Sequence, residues 1–504
     1  MTRLTARELI EVVVDTGSWV SWDTTPVDVD TDADYTADLA RARAATGLDE
    51  AVLTGAADLR GRRIAVVVCD FKFLGGSIGV AAGERLTAAI RRATAEGLPL
   101  LAMPTSGGTR MQEGAIAFLQ MVKITTAIVA HKAAHLPYLV YLRHPTTGGV
   151  FASWGSLGHI TFAEPHALVG FLGPRVYEAL YGKAFPADVQ TSENLYEHGI
   201  VDAVVPADEI GDVVDRALSV ISRTPQQTAR GALEPASPAR DITAWQAVCA
   251  TRRTDRPGVR ELLRYAAPEV VELNGTGQGE SDPGLTLVLT RFGDSPCVLL
   301  GQDRQGQTID EPLGPGALRQ ARRGMRLAAD LDLPLVTIID TAGAALSQEA
   351  EEGGLAGEIA RCIADLIALP VPTISILLGQ GTGGGALALL PADRTLAAQH
   401  GWLSPLPPEG ASAILHHDTS HAQAMADKQG IRSIDLREHG VVDAIIPELP
   451  DAADEPEAFC LRVGTHLHQE LRALERKQYP SGVSARTRRF DRIGTQCRVL
   501  AQVG

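Results

Sequence analysis

Two pairs of glycine-rich segments recur in this chain at nearly fixed spacing, and no other feature constrains its fold as much. The first half carries Ser106-Gly107-Gly108-Thr109-Arg110 and then Thr147-Gly148-Gly149; the second carries Thr341-Ala342-Gly343 and then Gly383-Gly384-Gly385-Ala386. Leu98-Pro99-Leu100 and Leu333-Pro334-Leu335 are 235 residues apart, Gly148 and Gly384 are 236 apart, and His198-Gly199-Ile200-Val201-Asp202 and His439-Gly440-Val441-Val442-Asp443 are 241 apart. A near-constant offset over three motifs implies one domain copied in tandem, at a period well beyond the short solenoid repeats. Over 504 residues this predicts two domains, 1–225 and 226–504, each long enough to bury its own core.

Within each copy an apolar run leads into the first glycine turn and another into the second. Arg63-Ile64-Ala65-Val66-Val67-Val68-Cys69 is a β-branched run suited to a buried strand; Gly83 to Ala95 has helical spacing at Leu86, Ile90 and Ala93, and a strand is expected over Leu98 to Met103. The second copy repeats the plan. Strands are expected over Leu285 to Thr290, Val298 to Gly301, Leu335 to Asp340 and Thr373 to Leu378, with helices over Ala317 to Leu331 and Glu358 to Ala368. This alternation gives an α/β class with βαβ crossovers. The N-terminal stretch, with its acidic run from Asp28 to Asp34 and a helix over Tyr35 to Ala45, reads as a cap on the first core. Thr224 to Asp241, rich in Pro, Gln, Ser and Ala, reads as a linker.

Apolar residues make up 45% of the chain, aromatic ones only 5%, which fits sheets built from Val, Ile, Leu and Ala. A net charge of −15 argues against a nucleic-acid surface. Arg252-Arg253, Arg319 to Arg326 and Arg486 to Arg489 are able to meet phosphates, but a solvated helix face or tail is the expected reading of each. Six cysteines, at 69, 249, 297, 362, 460 and 497, lie too far apart for a zinc ribbon or a CxxC motif; they read as core thiols, and no metal is expected. Met1 to Glu8 lacks a signal-peptide core, and no uninterrupted apolar run approaches the ~18 residues of a membrane span. The expected location is cytoplasmic, with neither membrane nor nucleic acid as partner.

Backbone amides at glycine turns that follow strands, above all where a helix begins, are the parts of an oxyanion hole. Two holes imply two carbonyls. A reaction using both is group transfer between two carbonyl compounds through an enolate-like state, and it needs no protein nucleophile. A tight bend is the ordinary explanation of a single glycine turn; four in duplicated register weigh equally on both sides. No Ser/His/Asp series, paired carboxylates or metal cluster recurs at the duplicated positions. The 13 histidines, including His416-His417 and His466-Leu467-His468, read as structural or exposed, and Glu113 and Glu409 as loop organisers.

The motifs then carry a specific resemblance. Phe71 to Gly79, Thr105-Ser106-Gly107-Gly108-Thr109-Arg110-Met111-Gln112-Glu113, Pro145 to Val150, and Ala163-Glu164-Pro165 through Gly173-Pro174-Arg175-Val176 resemble the β subunit of bacterial acetyl-CoA carboxylase. Arg326 to Thr341, Ile359-Ala360-Arg361, Gly383 to Ala388 and Ser404-Pro405 with Pro408 to Leu415 resemble its α subunit. The chain is thus similar to a β–α fusion of the carboxyltransferase component of biotin-dependent acyl-CoA carboxylases. The resemblance implies two tandem crotonase-like (ClpP/crotonase) domains with ββα superhelical cores. It implies that Gly107 and Gly108 hold an acyl-CoA thioester oxygen, with Gly75, Gly76, Arg110, Gly148 and Gly149 around that substrate. On the biotin side it implies Gly385 and Ala386 at the ureido oxygen, with Gly343, Gly383 and Gly384 lining the pocket. Ala388 either helps choose acyl-chain length or packs a helix. The implied chemistry is carboxyl transfer from carboxybiotin to the α-carbon of an acyl-CoA, acetyl-CoA foremost, giving a malonyl-type CoA, with biotin itself serving as the base.

No biotinylation motif and no ATP-grasp loop is present, so the implied partners are a biotin carboxyl carrier protein and a biotin carboxylase, with a homodimer at minimum and a hexamer as the larger assembly. The chain departs from the family in lacking the β subunit's four-Cys zinc ribbon. It also reads Asp340-Thr341-Ala342-Gly343-Ala344-Ala345-Leu346-Ser347 where the family has Asp-Thr-Pro-Gly-Ala-Tyr-Pro-Gly, and has extra residues within Ser404 to Gly410. The last two departures fall on the biotin side. They leave open a working transferase with an altered pocket, a different carboxyl donor or acceptor, a malonyl-thioester decarboxylase, and a non-catalytic assembly subunit.

Overall fold

The computed structural model describes residues 4–27, 29, 32–222, 242–308 and 311–493. The chain forms two compact units, Met1–Ser219 with Gly277–Glu280, and Val220–Thr276 with Ser281–Gly504. In the first, seven strands lie side by side in chain order: Val20–Ser21, Val52–Leu59, Arg62–Cys69, Leu100–Met103, Tyr138–Leu142, Ile160–Ala163 and Ala203–Val204. The first three pair antiparallel and the rest parallel. The hairpin register, Val52 opposite Cys69 through Leu59 opposite Arg62, leaves a two-residue turn at Arg60-Gly61. Both of those residues have positive φ, 50° and 78°, the twist that a tight hairpin requires. Ile64 to Cys69 are all buried, and helix Val80–Ala95 lays Leu86, Ala89, Ile90 and Ala93 on the core face formed by Ala65, Val67 and Cys69. Hairpin plus crossover helix is the ββα unit.

The second unit repeats it. Its main path runs Val270–Leu273, Leu285–Phe292, Ser295–Gln302, Leu335–Thr341, Thr373–Thr382, Arg394–Ala398 and Ala444–Ile446, with Trp402–Ser404 pairing beyond it on Thr373–Thr382. Leu285 opposes Gln302 and Phe292 opposes Ser295, again eight residues against eight with a two-residue turn. Helix Pro315–Asp330 takes the place of Val80–Ala95, with proline in its first turn where no hydrogen bond is lost. The expected elements are all present. Several strands run longer than their apolar runs, most of all Thr373–Thr382, because Gln380 to Thr382 continue the ladder against Trp402–Ser404.

Helix Ala6–Val13 caps the first core with Leu9, Ile10 and Val13, and the expected helix near Tyr35 spans Ala33–Thr46. The linker at Thr224 to Asp241 and Cys497 lie outside the described residues. Cys69, Cys297, Cys362 and Cys460 are buried thiols, but Cys249 is exposed and is no core residue. The solvated reading of Arg486 is also corrected: it is wholly buried, pairs with Asp393 at 2.8 Å and donates to the carbonyls of Leu369 and Val371. Arg319 and Arg322 pair with Glu358. Among the described residues one helical stretch, Met111–Ala133, is long and apolar enough by length and composition to cross a membrane. It packs on helix Val80–Ala95, and its Lys123 is paired with Glu84.

Candidate active site

In the first unit the two glycine turns meet at the C-terminal ends of neighbouring parallel strands. Ser106 N donates to Pro145 O at 2.7 Å and Thr147 N to Ser106 O at 2.9 Å, so the segments run on as a short parallel bridge. A Cβ added to Gly108 would meet Gly149 N at 3.4 Å and Gly148 Cα at 3.5 Å, which places the turns in backbone contact. Gly108 sits at φ +109° and Gly148 at φ +63°, conformations that admit few other residues.

The amides expected to line the hole are not the ones left free. Gly107 N donates to Gly75 O at 2.9 Å, Gly108 N to Ser106 Oγ at 3.0 Å and Gly148 N to Phe171 O at 2.8 Å. Among the described residues, Thr109 N and Gly149 N have no acceptor. They flank the contact: a Cβ on Gly149 would lie 3.2 Å from Thr109 Oγ1. The aim of the Thr109 amide is fixed by its own peptide. Ile78 N donates to Gly108 O at 2.9 Å, and a trans peptide turns the Thr109 N–H the opposite way. The free pair is therefore one residue further along each turn than the sequence suggested.

Gly75 and Gly76 buttress this arrangement, since a Cβ on Gly76 would collide with the Thr105 carbonyl. Arg110 does not reach substrate. Its side chain is 1% exposed, forked onto Glu50 at 2.5 and 3.0 Å, bonded to Ser77 O at 2.8 Å and 3.5 Å from Glu113. Glu113 accepts from Tyr35 Oη and Val80 N, both at 2.5 Å, and so ties the turn to the capping helix, the loop-organising role expected of it. Burial and the Glu113 bond together raise the Tyr35 hydroxyl well above its ordinary range.

The second unit reproduces two of the turn's defining bonds despite its altered sequence. Gly343 N donates to Thr341 Oγ1 at 3.1 Å, as Gly108 N does to Ser106 Oγ, and Ala345 N donates to Leu313 O at 2.9 Å, as Arg110 N does to Ile78 O. Leu313 bridges Ala344 in parallel, as Ile78 bridges Thr109. Gly343 keeps the unusual φ, +136°. Gly383, Gly384 and Gly385 open helix Gly383–Leu387, and the first residues of a helix have no intrahelical acceptor for their amides. Ala386, its fourth residue, is the first that closes onto the preceding turn, and it is 0% exposed. A Cβ on Gly385 would lie 3.4 Å from Ala344 N. The counterparts of Thr109 N and Gly149 N here are Ala344 N and Gly385 N, with the expected Ala386 next along the same helix start. Ala388 is also 0% exposed and caps this helix, so packing, not substrate contact, accounts for it.

The extra residues after Ser404 lie beside this turn, where Pro405 O would be 3.3 Å from a Cβ on Gly383. Glu409 is forked onto Arg252 at 2.6 and 3.0 Å, which holds its carboxyl below the usual range despite partial burial. Below the turn, Asp340 is buried, which pushes its carboxyl up; Arg304 at 3.5 Å opposes this. His400, Glu448 and Asp451 cluster as three metal-type donors, but Arg256 already forks onto Glu448 at 2.8 and 2.8 Å and supplies the positive charge. Sequence reasoning missed Thr109 and Ala344, though each directly follows the positive-φ glycine of its turn.

Paired ββα units whose glycine turns present free amides define the crotonase class of fold. The solved structures agree: a transcarboxylase 12S core, crystallised as a hexamer with methylmalonyl-CoA and methylmalonic acid, superimposes with a TM-score of 0.70 over 93% of this chain and 90% of its own at 20% identity. A single-chain, multi-domain long-chain acyl-CoA carboxylase gives 0.73 over 93% and 46% at 18% identity. The carboxyl transferase domain family matches residues 1–482. A probable biotin-dependent acyl-coenzyme A carboxylase beta3 subunit of Mycobacterium tuberculosis is 60% identical over 98% of this chain and 99% of its own length. The beta/alpha carboxyl transferase subunits of acetyl-coenzyme A carboxylase from Salinispora arenicola are 36% identical over 98% and 91%. The chain belongs to the carboxyltransferases of the biotin-dependent acyl-CoA carboxylases.

Proposed function

We propose that this chain moves a carboxyl group between biotin on a carrier protein and the α-carbon of a short acyl-CoA, acetyl-CoA first among them. The observation that carries the reading is the repeated pair of acceptor-free amides, Thr109 with Gly149 and Ala344 with Gly385. The first pair holds the thioester oxygen and takes up the charge that develops there as the α-carbon becomes enolate-like; a single such donor is worth about 10²–10³ in rate. The second pair is assigned the urea oxygen, because the bare Gly385 backbone comes close to the Ala344 amide, a Cβ there standing 3.4 Å from Ala344 N. Bound biotin supplies the mobile carboxyl group and a basic ureido nitrogen. Carboxylates near the turns are engaged elsewhere, Glu113 by Tyr35 and Val80 and Glu409 by Arg252, so the chain's contribution is placement and charge stabilisation.

The same reading places the protein in the cytoplasm with a biotin carboxyl carrier protein and a biotin carboxylase as partners. Self-association, as a homodimer at minimum with a hexamer as the larger assembly, is favoured by the exposed apolar residues Met111, Phe118 and Val122, which are 80%, 62% and 63% accessible. Incubation with malonyl-CoA and free biotin tests the activity. Carboxylated biotin with acetyl-CoA, the malonyl C–C bond broken and the biotin N–H proton passed to the α-carbon, supports the transferase. CO₂ release independent of biotin would make it a decarboxylase, and an unchanged thioester would make it an assembly subunit. Methylmalonyl-CoA and longer analogues, run in parallel, fix the acyl class.

A further inference from the structure

Main-chain pairing joins both turn pairs, Ser106 with Thr146 in the first unit and Thr341 with Gly381 in the second, and the second has further ties. In the first unit main chain bonds main chain, Ser106 N to Pro145 O and Thr147 N to Ser106 O. In the second, two glutamine side chains also grip the turn. Gln302 ends strand Ser295–Gln302 and is 0% exposed; its Nε2 donates to Gly385 O at 2.7 Å and its Oε1 accepts from Asp340 N at 3.1 Å. Gln307 donates through Nε2 to Asp340 O at 3.2 Å and accepts from Thr341 Oγ1 at 2.6 Å. Asp340 is thus held at both its N–H and its carbonyl, and Gln302 alone spans from it to the glycine helix. By hairpin register the counterpart of Gln302 in the first unit is Cys69, a buried thiol whose sulfur meets the Thr105 backbone and carries no amide to span onward to the second turn.

We infer that Gln302 is a positioning residue for the second hole: its amide ties the Gly385 carbonyl to the Asp340 backbone and so sets the separation of the glycine helix from the Thr341 to Ala345 turn, and Gln307 steadies that turn from the other side. The inference rests on the second hole as the biotin side. Gln302 touches no reacting atom, yet losing its amide strands Gly385 O and Asp340 N in a buried site, and the turns must shift to find new partners. A displacement near 1 Å at a reacting group costs on the order of 10²-fold.

Gln302→Leu keeps the volume and removes both bonds. The expected result is a fall of about 10- to 100-fold in turnover with free biotin, while the KM for malonyl-CoA stays within twofold of wild type. Hydrogen–deuterium exchange supplies a readout independent of activity: amides in 338–346 and 380–388 should exchange faster, and those in 104–112 and 146–152 should not change. Gln307→Ala, at a half-buried position, should give the same pattern more weakly and serves if the Leu variant does not fold. Unchanged exchange at both second-unit segments, or an equal loss on the malonyl-CoA and biotin sides, overturns the inference. If wild type does not carboxylate biotin the functional reading fails instead, and the exchange pattern still decides whether Gln302 clamps the turn.

Discussion

Gly107 and Gly108 are adjacent, both part of the first turn, and the structure predicts opposite responses to alanine. At Gly107 the backbone lies outside the left-handed region, and an added Cβ would meet only Gly75 O at 3.6 Å, an ordinary contact. At Gly108 φ is +109°, and the Cβ would stand 3.4 Å from Gly149 N. Holding alanine there costs about 1–3 kcal/mol of backbone strain. Relief of that strain rotates the Gly108–Thr109 peptide, and with it the Thr109 N–H that forms half of the hole. Loss of one such donor is worth about 3–4 kcal/mol, or 10²–10³ in kcat.

Gly108→Ala should therefore reduce carboxyl transfer from malonyl-CoA to biotin by at least 10²-fold and lower the melting temperature by roughly 2–12 °C, taking about 2–4 °C per kcal/mol for a unit of this size. Gly107→Ala should leave both within about twofold and ~2 °C of wild type. Steady-state kinetics beside a thermal melt on the same preparations decides it. Equal losses in the two variants, or a Gly108→Ala enzyme with near-normal kcat, would refute the assignment of Thr109 N as a donor.

Arg110→Met should destabilise the first unit by about 3–5 kcal/mol, because Glu50 and Glu113 then stay buried without their cation; a melt within ~2 °C of wild type would return Arg110 to the role of a substrate contact. Burial alone would raise the Glu448 carboxyl, but the Arg256 and His400 bonds hold it far below its ordinary range. Its stabilisation is present above the unfolded value near ~4.3 and is lost as pH falls toward the folded one. Wild type should thus lose melting temperature from pH 5 to pH 3, and Glu448→Gln should be weaker at pH 7 with a shallower decline; parallel curves would contradict this. Ala388→Val should overpack its site by about 1–3 kcal/mol without changing preference between acetyl- and propionyl-type substrates; altered preference at unchanged stability would restore its specificity role.

The parts of the site that were legible in the sequence are those that local chemistry decides. β-branched runs such as Ile64 to Val68 set the strands, and a constant offset revealed the copied domain. Glycines at 108, 148 and 343 marked where the chain must adopt positive φ. Which amide is left over in such a turn is another matter. Gly107 N is consumed by Gly75 O, from a loop some thirty residues earlier, and Gly108 N by the side chain of Ser106; neither acceptor follows from the glycine pattern. Arg110 was misread for a similar reason. An arginine beside a glycine turn suggests an anion, and only the tertiary fold shows Glu50 already forked onto it.

The altered loop of the second copy becomes intelligible on the same grounds. The turn requires a hydroxyl two residues before the special glycine, positive φ at that glycine, and a neighbouring backbone carbonyl to receive the amide two residues after it. Thr341, Gly343 and Leu313 meet those demands, so the missing prolines and aromatic leave the turn intact. The copies part company at the following residue. In the first it is Arg110, anchored by a buried ion pair with Glu50; in the second it is Ala345, which has no charge to anchor, and Leu346 after it is 96% exposed. Gln302 and Gln307 supply from the preceding strand and loop the fixation that the arginine gives in the first copy. A clamp that acts on Asp340, Thr341 and Gly385 leaves the segment beyond Ala345 unconstrained by the hole. That segment can then vary to suit whatever carries biotin to the site, while the two amides stay where the chemistry needs them.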